Sequence, residues 1–364
     1  MKKLTLVLGL LTAIQSFAQS EIKTTVGGDM RLRHESYDSK NGAGKDVYDI
    51  LRLRARLSVK SQINETLSTE FRLATGTGGT ATNQTFSGTR NYDFKLDRAF
   101  AKYAPNENVL VKAGRTDNPY IIVGEHNMLF DADLNFDGAS VTYLHKAESF
   151  SAQLIFAHAI LVESTSKEPN ADAKLNSAEL ALRFGSDTHG FLATFAEHSF
   201  QGLRGHASVV VGATAAAADF QGNSFDSLNY RYNYDVTAVG LEYTYKGGSV
   251  PMTAFAEMAN NNATSEEDTA VIYGVKFNKL KKKGDWMVSV DSREVEADST
   301  LAAMTDGDTF AGGTDGRSLN TTLAYNLEDN ANVMLTYLNG KTGIAPGGAK
   351  LDRNRLQVDL NIKF

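Results

Sequence analysis

The chain has 364 residues, with 37 Lys and Arg against 43 Asp and Glu, a formal net charge of −6. That acidic balance argues against a nucleic-acid binder, and the absence of cysteine excludes disulfides and thiolate metal sites. Glycine is plentiful at 31 residues and proline rare at 5, and the mean hydropathy of −0.29 suits a membrane barrel, where only alternate residues are apolar, better than a bundle of membrane helices.

The first twenty residues read as an export signal. Lys2 and Lys3 supply the positive start and Leu4 to Ile14 an apolar run too short to span a bilayer. Ser16-Phe17-Ala18 is a small-x-small pattern that predicts cleavage after Ala18. The expected organisation is a cleaved signal at 1–18 and one barrel domain at 19–364. Cleavage removes Lys2 and Lys3 and no acid, so the mature chain carries 35 basic and 43 acidic side chains, net −8. No later segment approaches the roughly 20 apolar residues of a spanning helix. The longest candidate, 207–218, is too short and mostly Ala, Val and Gly.

Beyond the signal the chain breaks into alternating segments of about ten residues, the length of a tilted membrane strand. Short turns are predicted at 61–65, 105–108, 146–149, 185–189, 247–250, 280–284 and 326–330. Longer polar loops are predicted at 39–46, 76–90, 116–136, 161–173, 200–233, 260–268, 297–315 and 340–350. Eight loops and seven turns make sixteen antiparallel strands with both termini on one side, short periplasmic turns and longer external loops. Fourteen and eighteen strands are the alternatives, and 200–233 is where a hairpin or a short rim helix would alter the count. The fold class is all-β, a transmembrane antiparallel β-barrel, in the cell outer membrane. A soluble sandwich also alternates, but it rarely needs so many long strands with long and short loops in strict alternation.

The first two strands carry the clearest chemistry. Val26, Gly28, Met30 and Leu32 share one face of the first, and Asp29, Arg31, Arg33 and Glu35 the other. On the second, Leu51, Leu53, Ala55, Leu57 and Val59 oppose Arg52, Arg54, Arg56, Ser58 and Lys60. An arginine facing lipid at the bilayer midplane costs roughly 2–4 kcal/mol, so the arginines must face the lumen. Same-face residues lie about 6–7 Å apart, which makes Arg52, Arg54 and Arg56 a ladder on the wall. Such a ladder needs counter-charges or passing anions. The third long loop, 116–136, holds Asp117, Glu125, Asp131 and Asp133, with Asp137 just beyond. It also holds Tyr120-Ile121-Ile122-Val123, too apolar a run for an external loop. The expectation is therefore a third external loop folded inward, its acids facing the arginines.

Aromatics mark the ends of strands. Tyr103, Phe184, Tyr245, Phe277, Tyr325 and Phe364 close descending strands and Trp286 opens an ascending one, which predicts a periplasmic girdle. The last strand alternates Leu356, Val358, Leu360, Ile362 and Phe364 with Arg355, Gln357, Asp359, Asn361 and Lys363. That is one oily and one charged face, ending on an interfacial aromatic.

The stretch Leu96-Asp97-Arg98-Ala99-Phe100-Ala101-Lys102-Tyr103-Ala104-Pro105, followed by Val111-Lys112-Ala113-Gly114-Arg115 and Asn118-Pro119-Tyr120, resembles the putative-porin and phosphate-selective porin group of outer-membrane proteins. The likeness is best in the first half, with Phe364 as a second anchor. The resemblance implies a sixteen-stranded trimeric diffusion channel whose third loop narrows the pore, and an assembly role for the terminal phenylalanine. A complete phosphate-binding set of arginines and lysines is not matched residue by residue.

Other signals carry less. Asp131-Ala132-Asp133-Leu134-Asn135 starts like a calcium loop, but Phe136 and Thr142 stand where glycine and glutamate are needed. Gly76-Thr77-Gly78-Gly79 lacks the lysine and the strand–helix context of a phosphate loop. The seven His show no close metal-ligand spacing, and His145, His158 and His198 read as lumen or rim residues. No nucleophile, base and orienter are grouped, so no enzyme, metal or cofactor is expected. The acidic runs Glu266-Glu267-Asp268 and Asp306-Gly307-Asp308 read as solvated loop tips able to bridge divalent ions to lipopolysaccharide.

The function expected is a general porin for small hydrophilic solutes and ions. Its candidate pore-lining residues are Arg31, Arg33, Arg52, Arg54, Arg56 and Lys60, and its candidate constriction residues are Glu125, Asp131 and Asp133. The expected partners are outer-membrane lipid, lipopolysaccharide and two further copies of the chain. A specific channel for phosphate-like anions is one alternative reading, and a surface adhesin or structural barrel with a plugged lumen is another.

Overall fold

A sheet with one oily and one charged face can bury the charged face without leaving an edge only by closing on itself. In the computed structural model, which describes residues 22–41, 44–76, 81–164, 172–210 and 212–364, the sheet closes. The expected signal at 1–18 lies outside these residues. The chain runs through β1 (Lys23–Asn41), β2 (Gly44–Gln62), β3 (Leu67–Ala74), the two-residue β4 (Gln84–Thr85), β5 (Lys95–Asn106), β6 (Val109–Asp117), β7 (Asn135–Lys146), β8 (Phe150–Val162) and β9 (Ala173–Gly185). It continues through β10 (His189–Gln201), the short pair β11 (Phe225–Asp226) and β12 (Asn229–Tyr230), β13 (Tyr234–Tyr245), β14 (Met252–Asn261) and β15 (Thr269–Phe277). The last four strands are β16 (Trp286–Val295), β17 (Gly316–Glu328), β18 (Ala331–Thr342) and β19 (Leu351–Lys363). Leaving out β4, β11 and β12, sixteen antiparallel staves remain, each beside its neighbour in sequence, and β1 pairs with β19 to close the ring.

The predicted turns and loops fall between these staves, with two differences. The first predicted long loop, 39–46, is mostly strand: β1 and β2 stay paired as far as Asn41 and Gly44. Alternation ends there in the sequence, but backbone pairing does not depend on it. The segment 201–233 contains both features foreseen for it, a 3-10 turn at Ala217–Phe220 and the β11–β12 hairpin, yet it adds no stave. Within it Leu203, Phe220 and Tyr230 are buried.

The outer face is apolar. Val26, Leu51, Phe71, Leu96, Tyr273 and Leu319 are exposed, as are all seven aromatics of the predicted girdle beside the short turns. The inner face has two characters. From β9 to β16 it carries Leu175, Ala181, Leu192, Ala196, Val236, Ala238, Phe255 and Ile272, joined in one buried cluster with Tyr120, Val123, Met128, Leu129 and Phe130 of the segment 118–134. Burial of each large side chain contributes roughly 1.5–3 kcal/mol. Small wall residues make the room: a Cβ on Gly240 would stand 3.0 Å from Val123. Gly124 is doubly constrained, by a φ of +59° and by the ring of Phe255, 2.3 Å from where its Cβ would lie. From β19 through β1 and β2 to β3 the inner face is instead charged.

Candidate functional site

Cross-strand register assembles the charged wall. Along β1 and β2, Asp29 faces Arg56, Arg31 faces Arg54 and Arg33 faces Arg52. Along β1 and β19, Arg33 faces Asp359, Glu35 faces Gln357 and Tyr37 faces Arg355. All point away from the exposed aliphatic face, because successive residues of a strand alternate.

Most of the counter-charge comes from the wall itself. Arg56 Nε donates to Asp29 at 2.8 Å and Arg54 pairs with the same carboxylate at 3.2 Å. Arg52 pairs with Glu35 at 3.0 Å. Arg33 grips Asp359 through Nε at 2.6 Å and Nη2 at 2.8 Å, a two-pronged contact of the strong kind. Glu35 has no exposed surface, yet it is satisfied by Arg33, Arg52, the Tyr37 hydroxyl at 2.8 Å and the Gln357 amide at 3.1 Å. Tyr37 stacks on Tyr48 with centroids 4.6 Å apart, and the Arg355 guanidinium lies 4.4 Å from the Tyr37 centroid. Arg31 differs from its neighbours. Among the described residues its guanidinium meets no carboxylate, and it donates to the side-chain oxygen of Asn83, just before β4. Lys60 stands apart, highly exposed and 3.5 Å from Glu70.

The acids of the segment 116–136 do not act as a group. Asp133 meets the ladder, 3.5 Å from Arg54 and 3.8 Å from Arg56, and accepts from the Thr82 hydroxyl at 2.9 Å. Glu125 is exposed and pairs with Lys276 at 3.8 Å. Asp117 pairs with Lys112 at 2.6 Å and Asp137 with Arg115 at 2.8 Å. Asp131 faces other acids, and its carboxyl is pushed up to about 7 by burial first, then by Asp306 and Asp133. Of these five acids, Asp133 is the one that lies within 4 Å of a ladder arginine among the described residues. Charge in a sequence does not say which cation lies nearest in space.

Backbone and side-chain contacts tie this segment to β9, β13, β14 and β16. The Tyr120 hydroxyl donates to Ser177 at 2.7 Å, the Ile121 N–H to Glu179 at 2.8 Å and the Gly124 N–H to Glu242 at 2.7 Å. His126 lies 3.5 Å from Glu257, and Arg293 donates to Asn127 at 2.9 Å.

The run Asp306-Gly307-Asp308 is not a solvated tip. Asp306 is buried and pairs with Arg293 at 3.3 Å. Asp308 pairs with Arg33 at 3.0 Å and Arg355 at 2.5 Å, and accepts from Gln357 at 3.0 Å. The same apolar signal that marked 116–136 is present here, in Leu301-Ala302-Ala303-Met304 and Phe310, and sequence reasoning passed over it. Asn223 braces the segment from the 201–233 side. Its amide nitrogen donates to the carbonyls of Ala297 at 2.7 Å and Thr300 at 2.8 Å, and its oxygen accepts from the Ala302 N–H at 2.8 Å.

Residues 20–161 and 224–364 match the sequence family described as "Putative porin". No curated protein matches significantly. Among solved structures, OprB of Pseudomonas putida at high pH superposes with a TM-score of 0.60 and 11% identity, covering 94% of each chain. The outer membrane channel DcaP of Acinetobacter baumannii gives 0.55 and 13%, over 95% of this chain and 99% of that one. A variant of the Rh. blastica porin gives 0.53 and 12%, over 94% and 100%. At such identities these likenesses speak for the fold.

Proposed function

Since the chain belongs to the "Putative porin" family, we propose that it is an outer-membrane channel for passive diffusion of small polar solutes and ions. The observation that carries this reading is the closed sixteen-stave barrel, apolar outside and charged along β19, β1 and β2 within. Arg31, Arg33, Arg52, Arg54 and Arg56 then line the passage, with Lys60 near one mouth. The segment 118–134 is an inward-folded third loop that narrows it. The contacts of Tyr120, Ile121 and Gly124 with wall side chains support that placement. Asp133 is its constriction acid, while Glu125 and Asp131 serve other contacts. The passage performs no chemistry: fixed charges across a narrow aqueous gap order water and sort solutes by size and sign. Cleavage after Ala18, a homotrimeric assembly and contact with lipopolysaccharide complete the proposal.

One observation favours a preference for anions. Among the described residues, Arg31, Arg33, Arg52, Arg54, Arg56 and Arg355 meet five carboxylates, those of Asp29, Glu35, Asp133, Asp308 and Asp359, and Arg31 is the arginine left with an amide. Purified protein in a planar bilayer tests the reading. Stable conductance steps are expected, together with swelling of loaded liposomes in small sugars. Protein that inserts fully folded and conducts nothing would contradict it and favour a plugged structural barrel.

A further inference from the structure

The segment 296–315, between β16 and β17, runs along β17 and β18 to reach β19 and β1. Phe310 anchors it. Its ring fills the space above two glycines of neighbouring staves, with a Cβ on Gly316 falling 2.2 Å from the ring and one on Gly340 falling 3.1 Å from the Phe310 backbone. Phe310 holds a φ of +36°, a conformation that a bulky residue keeps only when its surroundings enforce it. The segment also holds the third loop, through the Asp131 N–H donating to the Met304 carbonyl at 2.8 Å. These contacts deliver the Asp308 carboxylate between Arg33 and Arg355. A cavity of about 360 Å³ opens over the contact, lined by Tyr37, Tyr48, Asp308, Arg353 and Arg355, so the charges there face open space.

Building on the channel reading, we propose that Asp308 is a second selectivity-determining acid, carried by a second loop that narrows the passage beside the third. Asp133 caps the ladder at Arg54 and Arg56, and Asp308 caps it at Arg33 and Arg355. Between them lies Arg31, which meets no carboxylate among the described residues. Wall acids already meet Arg33, Arg52, Arg54 and Arg56, and the two loop acids add to them, which leaves Arg31 as the arginine of this group with no carboxylate contact among the described residues. Burial works against ionisation of Asp308, but the guanidiniums of Arg355 and Arg33 outweigh it and hold the carboxyl well below the usual range. The cap therefore stays charged at any physiological pH.

The test is the reversal potential of the full-length protein in a planar bilayer under a potassium chloride gradient near 0.1 M. Asp308→Asn keeps the shape and removes the charge. It should raise the chloride-to-potassium permeability ratio about three- to fourfold, the scale of one unit charge a few ångströms away in a watery channel. Arg355→Gln removes a capped cation and should move the ratio the opposite way, and it keeps the proposal open to refutation if Asp308→Asn does not assemble. Opposite shifts that shrink in 1 M salt support the second acid. A conducting channel whose selectivity neither variant changes overturns it and leaves the channel reading intact. Folded protein that never conducts overturns the channel reading instead.

Discussion

Phe364 and Gly28 exchange both backbone hydrogen bonds, Gly28 N–H to the Phe364 carbonyl at 2.9 Å and Phe364 N–H to the Gly28 carbonyl at 3.0 Å. The Phe364 ring lies where a side chain on Gly28 would be, with Cζ 2.7 Å from the position of a Cβ there. The last residue of the chain thus completes the seam at which β1 and β19 close the ring. It remains the most exposed of the girdle aromatics, at 71%.

Phe364→Ala should therefore lower the outer-membrane yield several-fold while leaving the conductance of inserted protein unchanged. The backbone bonds survive the substitution, and the interfacial anchor does not. Gly28→Val should lower the yield as well, because the added side chain collides with the Arg56 carbonyl, 2.3 Å from its Cβ position, and with the Phe364 ring. Fractionation followed by single-channel recording separates assembly from conduction, and an unchanged yield in both variants would refute this role.

Replacing Arg52, Arg54 and Arg56 together by alanine should shift the reversal potential toward cations, although the chain as a whole is acidic. A field focused between low-dielectric walls outweighs charge spread over the surface. The shift should shrink between 0.1 M and 1 M salt, as the Debye length falls from about 10 Å to about 3 Å. Asp29 loses both of its arginines in this variant. Stripping partners from a part-buried carboxylate costs up to about 3–5 kcal/mol, so the barrel should also unfold at a lower temperature.

Asp133→Asn and Glu125→Gln should part company. The first uncovers Arg54 and Arg56 and should move selectivity toward anions. The second touches only an exposed pair with Lys276, worth at most about 1 kcal/mol, and should leave selectivity where it was. Equal effects in the two variants would mean that the third loop acts through its net charge and not through one contact.

Asp131 should make the channel sensitive to pH near neutrality. With its carboxyl raised to about 7, it is neutral at pH 6 and ionised at pH 8, where it adds negative charge beside Asp133, Asp306 and Asp308. Selectivity should drift toward cations as pH rises through about 7. Stability follows the same group: the folded state holds this proton more tightly than the unfolded chain, where an aspartate titrates near 3.8. Its contribution is greatest below about 4 and falls as pH rises through about 7. Asp131→Asn should flatten both profiles, and a wild-type reversal potential constant from pH 6 to 8 would count against the assignment.

Asn223→Ala removes four hydrogen bonds to the 296–315 segment; the Ala297 carbonyl keeps the Thr314 hydroxyl, but the Thr300 carbonyl and the Ala302 N–H lose their partner at about 1–3 kcal/mol each. The staves do not depend on Asn223. Protease added outside intact cells should then nick residues 201–233 or 296–315 more readily, while the barrel keeps its heat resistance. Identical digestion of variant and wild type would show that the brace is redundant.

The staves were legible because alternation is local. Arg52, Arg54 and Arg56 could be placed on the inner face from their own strand, since a charge turned to lipid costs more than its aliphatic neighbours return. The sixteen-stave count followed from turn spacing, and the extra hairpin at β11–β12 did not disturb it because its two-residue strands pair only with each other. The burial of Tyr120 and Val123 was signalled by the apolar run 120–123, and the equivalent signal in Leu301 to Met304 went unread.

Counter-charges were another matter, because a carboxylate pairs with whatever cation folding brings within a few ångströms. Glu35 and Arg33 could be assigned to one face of β1 from sequence. Asp308 could not be assigned to Arg33, which lies 275 positions away along the chain. That pair exists only because the ring closes at β19 and the 296–315 segment, anchored by Phe310 and braced by Asn223, runs past β17 and β18 to meet it. Sequence determined which side chains face inward, through the period-two geometry of a strand. Tertiary closure decided which of them neutralise one another, and so left Arg31 with an amide and no carboxylate among the described residues.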